Sequence, residues 1–197
     1  VGHKKDLLYN EIHHRVKNNL NIVSSLLAIQ AEQESLAVQN IIKASKDRID
    51  AMALVHSMLY VSSDIEKVNA KLFLEKLSST IGRTTALHVK VQLEVEPLEL
   101  TLNEVMPLGL ITNELLTNSF KYAFAGVLHP CITLALFTEG ENVVFFYQDN
   151  GVGAQEEKVG VGLRLVQLNV RQLKGTLTLE RGAGLGYKIV YKRRVHV

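Results

Sequence analysis

Apolar residues recur at helical spacing from about Lys4 to Gln33: Leu8, Ile12, Val16, Val23 and Leu27, with Leu20 and Leu26 beside them. At about 100° per residue this face centres near Ile12, Val16 and Val23. A second series runs Val38, Ile42, Ser45, Ile49, Met52, His56, Leu59. It advances by alternating steps of four and three, the seam of a coiled coil or helical bundle. Neither series contains Pro or Gly, and the connection around Glu34 and Ser35 is short. The two helices are therefore predicted to fold back as an antiparallel hairpin. One hairpin has too small a core to stand alone easily, so two are expected to pair as a four-helix bundle, making the chain a homodimer.

The pattern changes after Val61-Ser62-Ser63-Asp64. Residues 70–82 read as a helix, and "HVKVQLEVE" (88–96) alternates as a half-buried strand does. A long helical run, "LNEVMPLGLITNELLTNSFKYAF", starts at Leu102. Strands follow at 131–138 and 142–148, a helix at 161–174, and strands at 176–180 and 187–192. Strands with helices between them predict an α/β sandwich, with helices covering one face of a mixed sheet. The expected fold class is thus α plus α/β, with an all-helical domain over 1–64 and an α/β domain over 65–197.

Composition narrows the function classes. In 197 residues, 47% are hydrophobic and 21% charged, as in an ordinary globular protein. No apolar run approaches the roughly 20 residues that cross a bilayer, so no membrane contact is expected from this stretch. A formal net charge of +2 gives no concentrated basic stripe, so nucleic acid is not an expected partner. Cys131 is the single cysteine and cannot form an internal disulfide, which fits a reducing, cytoplasmic setting. The chain starts at Val1 rather than Met, so it is expected to be a fragment of a longer protein that holds any sensor or anchor.

Candidate chemistry begins with "EIHHRVKNNL" (11–20). His13 lies roughly 100° from the centre of the apolar face and His14 roughly 200° away, towards solvent. Asn18 shares the face of His14 one turn on, and Glu11 lies three residues before it. By itself this arrangement is also that of two surface histidines on a polar face.

The second domain adds three elements. "LITNELLTNSFKYAF" (110–124) places Glu114, Asn118 and Lys121 on one helical stripe, with Tyr122 beside it. A carboxylate, an amide oxygen and an ammonium suit Mg²⁺-polyphosphate, although they also make a solvated helix face. "YQDNGVG" (147–153) runs a strand into Asp149 and a turn with Gly151 and Gly153, where backbone can approach a flat ligand and a carboxylate can accept from an exocyclic amine. "VGVGLRLVQ" (159–167) sets Gly160 and Gly162 before a helix, whose bare N–H groups can bind phosphate.

Together these residues resemble the Bergerat-fold ATP-binding domain shared by gyrase, Hsp90, MutL and histidine kinases. "NELLTNSFKYAF" resembles the N box, "DNGVG" the G1 box and "GVGL", with Leu163, the G2 box. The first domain, through "EIHHRVKNNLNIVSSLLAIQ", resembles the phosphoacceptor domain of the histidine kinases whose H box reads H-R-V-K-N. That resemblance implies phosphorylation of the histidine before Arg, which is His14, the same choice the helix geometry makes. It implies ATP and Mg²⁺ as cofactors, Asp149 reading the adenine amine, and Asn118 as metal ligand. Lys121 would meet phosphate, Tyr122 would pack near the adenosine, and Gly151, Gly153, Gly160 and Gly162 would shape the pocket and its lid. Many members of the subgroup carry His where Tyr122 stands, and the "AQEEKV" lid is short with no aromatic F box.

The implied reaction transfers the γ-phosphoryl of ATP to His14 and then to an aspartate of a response-regulator receiver domain, the expected partner. Glu11 is the local candidate for orienting the imidazole, because Arg15 occupies the position after His14. Asn18 is placed to hold water beside a docked phospho-aspartate. A Bergerat-fold ATPase or serine kinase would keep the pocket without needing His14, with Glu114 activating water. A bundle that only docks a partner is the third reading. His56 falls in the helical seam as a packed histidine, and no His/Cys spacing points to zinc.

Overall fold

A computed structural model describes residues 2–60, 67–152, 160–181 and 184–193. The chain divides into two compact units, Val1–Glu66 and Lys67–Val197.

The first unit is a helical hairpin of α1 (Gly2–Ala31) and α2 (Leu36–Leu59). Ser35 caps α2, its hydroxyl accepting from the Val38 N–H at 3.4 Å, which satisfies an orphan donor of the first turn. The α2 seam holds from Ile42 to Leu59 except at Ser45, which is exposed. The face of α1 differs from the predicted one. Its half-buried or buried line is Tyr9, His13, Leu20, Ser24, Leu27 and Ala31. Leu8, Ile12, Val23, Leu26 and Ile29 stay 45–61% exposed. The apolar arc of α1 is wider than one partner helix can cover, and α2 takes its polar flank. Ser24 donates to Asp50 at 2.6 Å and Lys46 to the other Asp50 oxygen at 2.9 Å, so hydrogen bonds hold the hairpin where periodicity finds no core.

The second unit is an α/β sandwich. A five-stranded sheet has the order β2 (Lys90–Val95), β4 (Cys131–Glu139), β5 (Asn142–Asp149), β7 (Leu185–Lys192), β6 (Thr176–Arg181). The β2–β4 pair is parallel and the others antiparallel, so the sheet is mixed as expected. Helices α3 (Ala70–Gly82), α4 (Leu102–Asn118) and α5 (Val161–Gln172) pack on it, α4 touching both neighbours. Two strands escaped the sequence reading: β1 (Lys67–Asn69) pairs antiparallel with β3 (Glu99–Thr101). Three residues are too few to show a period of two. The core gathers Ile111 and Leu116 of α4 with Ile132, Leu134, Phe145, Tyr147 and Ile189 of the sheet.

The predicted long helix from Leu102 changes pitch. After Asn118 it widens into a π-helical turn, Ser119–Ala123, that ends at buried Phe124. Such a turn shifts every later side chain out of α register and is common at functional sites.

Candidate functional site

In the hairpin, the two adjacent histidines have opposite surroundings. His14 is exposed, as the helix geometry predicts. His13 is not on a flank but packs against α2: its ring stacks on Tyr60 with centroids 3.7 Å apart, and its Nδ1 lies 3.3 Å from His56 Nε2. Burial holds both His13 and His56 below the ordinary imidazole value, and the His13 ring further disfavours charge on His56. Only His14 of the pair therefore presents its ring to a reactant. Asn18, one turn on, is exposed as well. Glu11 is engaged by Arg15 at 3.0 Å rather than by His14. Both partners of that pair are exposed, so it is a weak tie that solvent competes for.

In the second unit, α4, the end of β5 and the first turn of α5 converge. Glu114 is only 7% exposed, and the Asn118 amide nitrogen faces its Oε1 at 3.5 Å. This leaves Asn118 Oδ1 as the atom available to a cation. Gly162 sits against the same pair: a Cβ there would collide with Glu114 Oε1 and come within 3.1 Å of Asn118 Nδ2. The second glycine of "GVG" is thus what lets the α5 backbone reach the α4 polar pair. Gly160 caps α5 without any side chain, and Leu163 follows half-buried in its first turn.

Asp149 is buried at the end of β5, and both of its oxygens are engaged. Oδ1 accepts from the Gly151 N–H at 3.0 Å and the Leu185 N–H at 3.4 Å. Oδ2 accepts from the Ser119 hydroxyl at 2.8 Å. Ser119 Oγ lies 2.6 Å from the Tyr147 hydroxyl, which also reaches the Leu115 carbonyl at 3.1 Å. Two hydroxyl protons serve three contacts, so a buried chain runs from the α4 backbone to the carboxylate. Burial holds the Tyr147 phenol far above its ordinary value, so it keeps its proton. Tyr187 is pushed up to about 12 by burial, then by the Asp149 and Glu114 carboxylates, so both acids act on one phenol. Each carboxylate oxygen has two acceptor sites, and Oδ2 spends one, leaving one for an incoming amine.

Gly151 is closely held. Its Cβ would strike the Ala123 carbonyl, the group that accepts from the Val152 N–H at 2.9 Å. The Asp149 turn therefore rests on the π-helical turn at the end of α4. Lys121 and Tyr122 lie in that turn, both exposed, Tyr122 at 73%. The predicted single stripe thus holds for Glu114 and Asn118 and breaks before Lys121, because the pitch changes between them. Gly153 and the lid residues 154–159 lie outside the described residues.

Three residues of this site were not singled out in the sequence. Ser119 follows Asn118 directly but points to the other end of the site, and Tyr147 reads as a strand hydrophobe. Gly184 abuts the Asp149 carbonyl so closely that a Cβ would clash. The signal for Gly184 was the glycine-rich "RGAGLG" before the last strand. Among the described residues no cluster of three or more His, Cys, Asp or Glu forms a metal cage. A single amide oxygen beside a buried carboxylate fits Mg²⁺ that is carried mainly by phosphate oxygens and water.

Residues 11–85 match the HisKA_2 family, described as histidine kinase. Among curated proteins, the sensor histidine kinase PdtaS of Mycobacterium tuberculosis is 28% identical over 204 residues, covering 96% of this chain and 40% of the relative. Blue-light-activated histidine kinase 2 of Erythrobacter litoralis is 24% identical over 183 residues, covering 87% of this chain and 53% of that protein. The chain therefore spans about half, or less, of the length of these relatives. Among solved structures, the histidine kinase domain of the Erythrobacter litoralis EL346 blue-light-activated histidine kinase superposes with a TM-score of 0.68 at 20% identity, over 90% of this chain and 95% of that one.

Proposed function

We propose that the chain, whose residues 11–85 match the HisKA_2 family, is a histidine kinase and the catalytic core of a two-component sensor, transferring the γ-phosphoryl of ATP to His14 and then to an aspartate of a receiver domain. The observation that carries this reading is the pair His13–His14: one ring packed and neutral, the next exposed, inside the segment that matches the family. The hairpin, residues 1–64, acts as the phosphotransfer and dimerisation module, and residues 65–197 as the ATP-binding module. The unpartnered apolar stripe of α1 supports a homodimer, since pairing two hairpins would cover Leu8, Ile12, Val23 and Leu26. No described helix is long and apolar enough to cross a membrane, in keeping with a module that works in the cytoplasm, where ATP and receiver proteins are.

In this reading the Asp149 carboxylate accepts the adenine amine at its remaining Oδ2 site. Asn118 Oδ1 takes Mg²⁺, which supplies charge neutralisation for the phosphates when bound. Lys121 meets phosphate, Tyr122 covers the adenosine, and the α5 N-terminus at Gly160, Gly162 and Leu163 offers its N–H groups to the phosphate end. Gly151 keeps backbone close beneath the base, and the G1-box resemblance gives Gly153 a share in that role. A lone pair of the His14 imidazole attacks the γ-phosphorus, the bond to the β–γ bridging oxygen breaks, and ADP leaves. The proton on the other ring nitrogen passes to solvent, or to Glu11 once released from Arg15. Glu114 orients Asn118 and stands where it would polarise a water. Asn18 holds water for dephosphorylation of a docked receiver.

The test is incubation of the protein with γ-labelled ATP and Mg²⁺, followed by mapping of the label. Acid-labile, alkali-stable label on His14 is expected. Free phosphate alone, or acid-stable label on serine, would overturn the reading in favour of an ATPase or serine kinase.

A further inference from the structure

Every described side chain from residue 2 to 19 is exposed except two, Tyr9 and His13. Among the described residues, Tyr9 and His13 are therefore the most covered side chains in the half of α1 that carries His14. Tyr9 meets the His13 ring edge-on at 4.2 Å, and Tyr60 stacks on its face at 3.7 Å and 19°. His56 closes the cluster, with its Nε2 3.3 Å from His13 Nδ1 and its ring 4.4 Å from Tyr60. Tyr60 is the C-cap of α2, where the hairpin ends and the connection to the second unit begins. One cluster thus ties the residue before His14 to the point where the chain leaves the hairpin.

The cluster suits neutral rings. One proton between the two facing nitrogens makes one hydrogen bond. The other His13 nitrogen, Nε2, is buried with no partner among the described residues. An imidazolium at His13 would therefore bury a charged N–H without an acceptor, and a second charge on His56 would face it across the short contact. The groups facing the pair are Tyr9 from α1 and Tyr60 at the end of α2, and among the described residues no carboxylate acts on either ring. Of the carboxylates nearby in sequence, Glu11 is taken by Arg15 and Asp50 by Ser24 and Lys46. The dimer stripe through Leu8 and Ile12 lies on a different arc of α1, so the cluster and the dimer contact are separate constraints.

We infer that His13, clasped by His56, Tyr9 and Tyr60, is a positioning residue that fixes the stance of His14, and that protonation of the pair releases this half of α1. The inference rests on the functional reading only for its consequence in phosphoryl transfer. The release itself is a property of the hairpin.

Two arms test it on the whole chain. In hydrogen exchange corrected for intrinsic rates, protection of α1 amides 9–18 should fall roughly tenfold between about pH 7.5 and pH 5.5. His56→Phe keeps the ring and removes the facing nitrogen, and His13→Phe does the same from the other side. The double variant, with no imidazole left in the cluster, should keep that protection flat with pH. In autophosphorylation, both single variants should lower kcat roughly tenfold through misplacement, with KM for ATP unchanged and label still on His14. Protection that ignores pH in the unmodified protein overturns the inference, as does a His56→Phe protein with the parental pH response and kcat. A parent that takes no label refutes the functional reading instead, and the exchange arm then decides the clasp by itself.

Discussion

Ser119→Ala is the sharpest probe of the nucleotide site, because it removes one hydroxyl and leaves the shape of α4 untouched. The Ser119 hydroxyl gives Asp149 Oδ2 its only hydrogen bond among the described residues, at 2.8 Å, while Oδ1 keeps two backbone donors. A hydrogen bond to a charged group is worth about 1.5–3 kcal/mol, and here the acceptor is buried. If Asp149 reads the base amine, that energy appears in ligand binding, because an unanchored carboxylate must be reordered for each binding event. Expressed wholly there, Kd for ATP rises roughly 10- to 150-fold. Tyr147→Phe makes the internal control. It removes the 2.6 Å contact to Ser119 and the 3.1 Å contact to Leu115 but leaves the Ser119–Asp149 bond in place. Its cost should fall on unfolding, about 0.5–1.5 kcal/mol for neutral partners, with Kd within roughly threefold of the parent. The assay is calorimetric titration of each protein with ATP and Mg²⁺ beside thermal unfolding without ligand. A Ser119→Ala protein that binds ATP as tightly as the parent, or a Tyr147→Phe protein that binds more weakly than Ser119→Ala, would refute the reasoning.

Four further outcomes are expected. His14→Ala should lose all acid-labile label while its ATP titration matches the parent, and label surviving on that variant would move the acceptor elsewhere. Gly162→Ala drives a methyl into Glu114 and Asn118, so turnover should drop by roughly tenfold or more while circular dichroism stays parental; unchanged kinetics would show that α5 does not approach that pair in solution. Burial acts to raise the Asp50 carboxyl, but the Ser24 and Lys46 hydrogen bonds outweigh it and hold it below its ordinary value. The hairpin stability it provides is therefore complete above the unfolded value of about 3.9 and is lost as pH falls through the lower folded value, a decline that acid titration should find weakened in Ser24→Ala. Finally, Asn18→Ala should no longer hasten decay of a phosphorylated receiver while His14→Ala still does, and equal decay with Asn18→Ala would remove that role.

The sequence carried the parts of this protein that repeat or that break a pattern. The α2 seam, the alternating β2 strand and the Gly-rich turns were readable because a period or an absent side chain marks them. So was His14, since exposure on a helix follows from angle alone. What stayed hidden is what depends on contact between distant segments. Helix angle places His13 on a flank if the apolar face of α1 meets α2, whereas the hydrogen bond of Ser24 with Asp50 and the His13–His56 contact choose a polar flank. Ser119 and Tyr147 carry no mark of their own; only the π-helical turn, which no periodicity announces, brings them to Asp149. The same change of pitch separates Lys121 from the Glu114–Asn118 stripe that regular spacing assigns it to.

Asn118 and Ser119 are consecutive, yet one looks along α4 to Glu114 and the other across to Asp149. A single peptide unit at the junction of two helical pitches therefore addresses both ends of the site at once. Tilting or unwinding that junction would disturb the Glu114–Asn118 pair and the Asp149 contact together. Variation that tunes one end alone has to come from the far partners, the loop after β5 or the first turn of α5, because the shared hinge allows no independent adjustment.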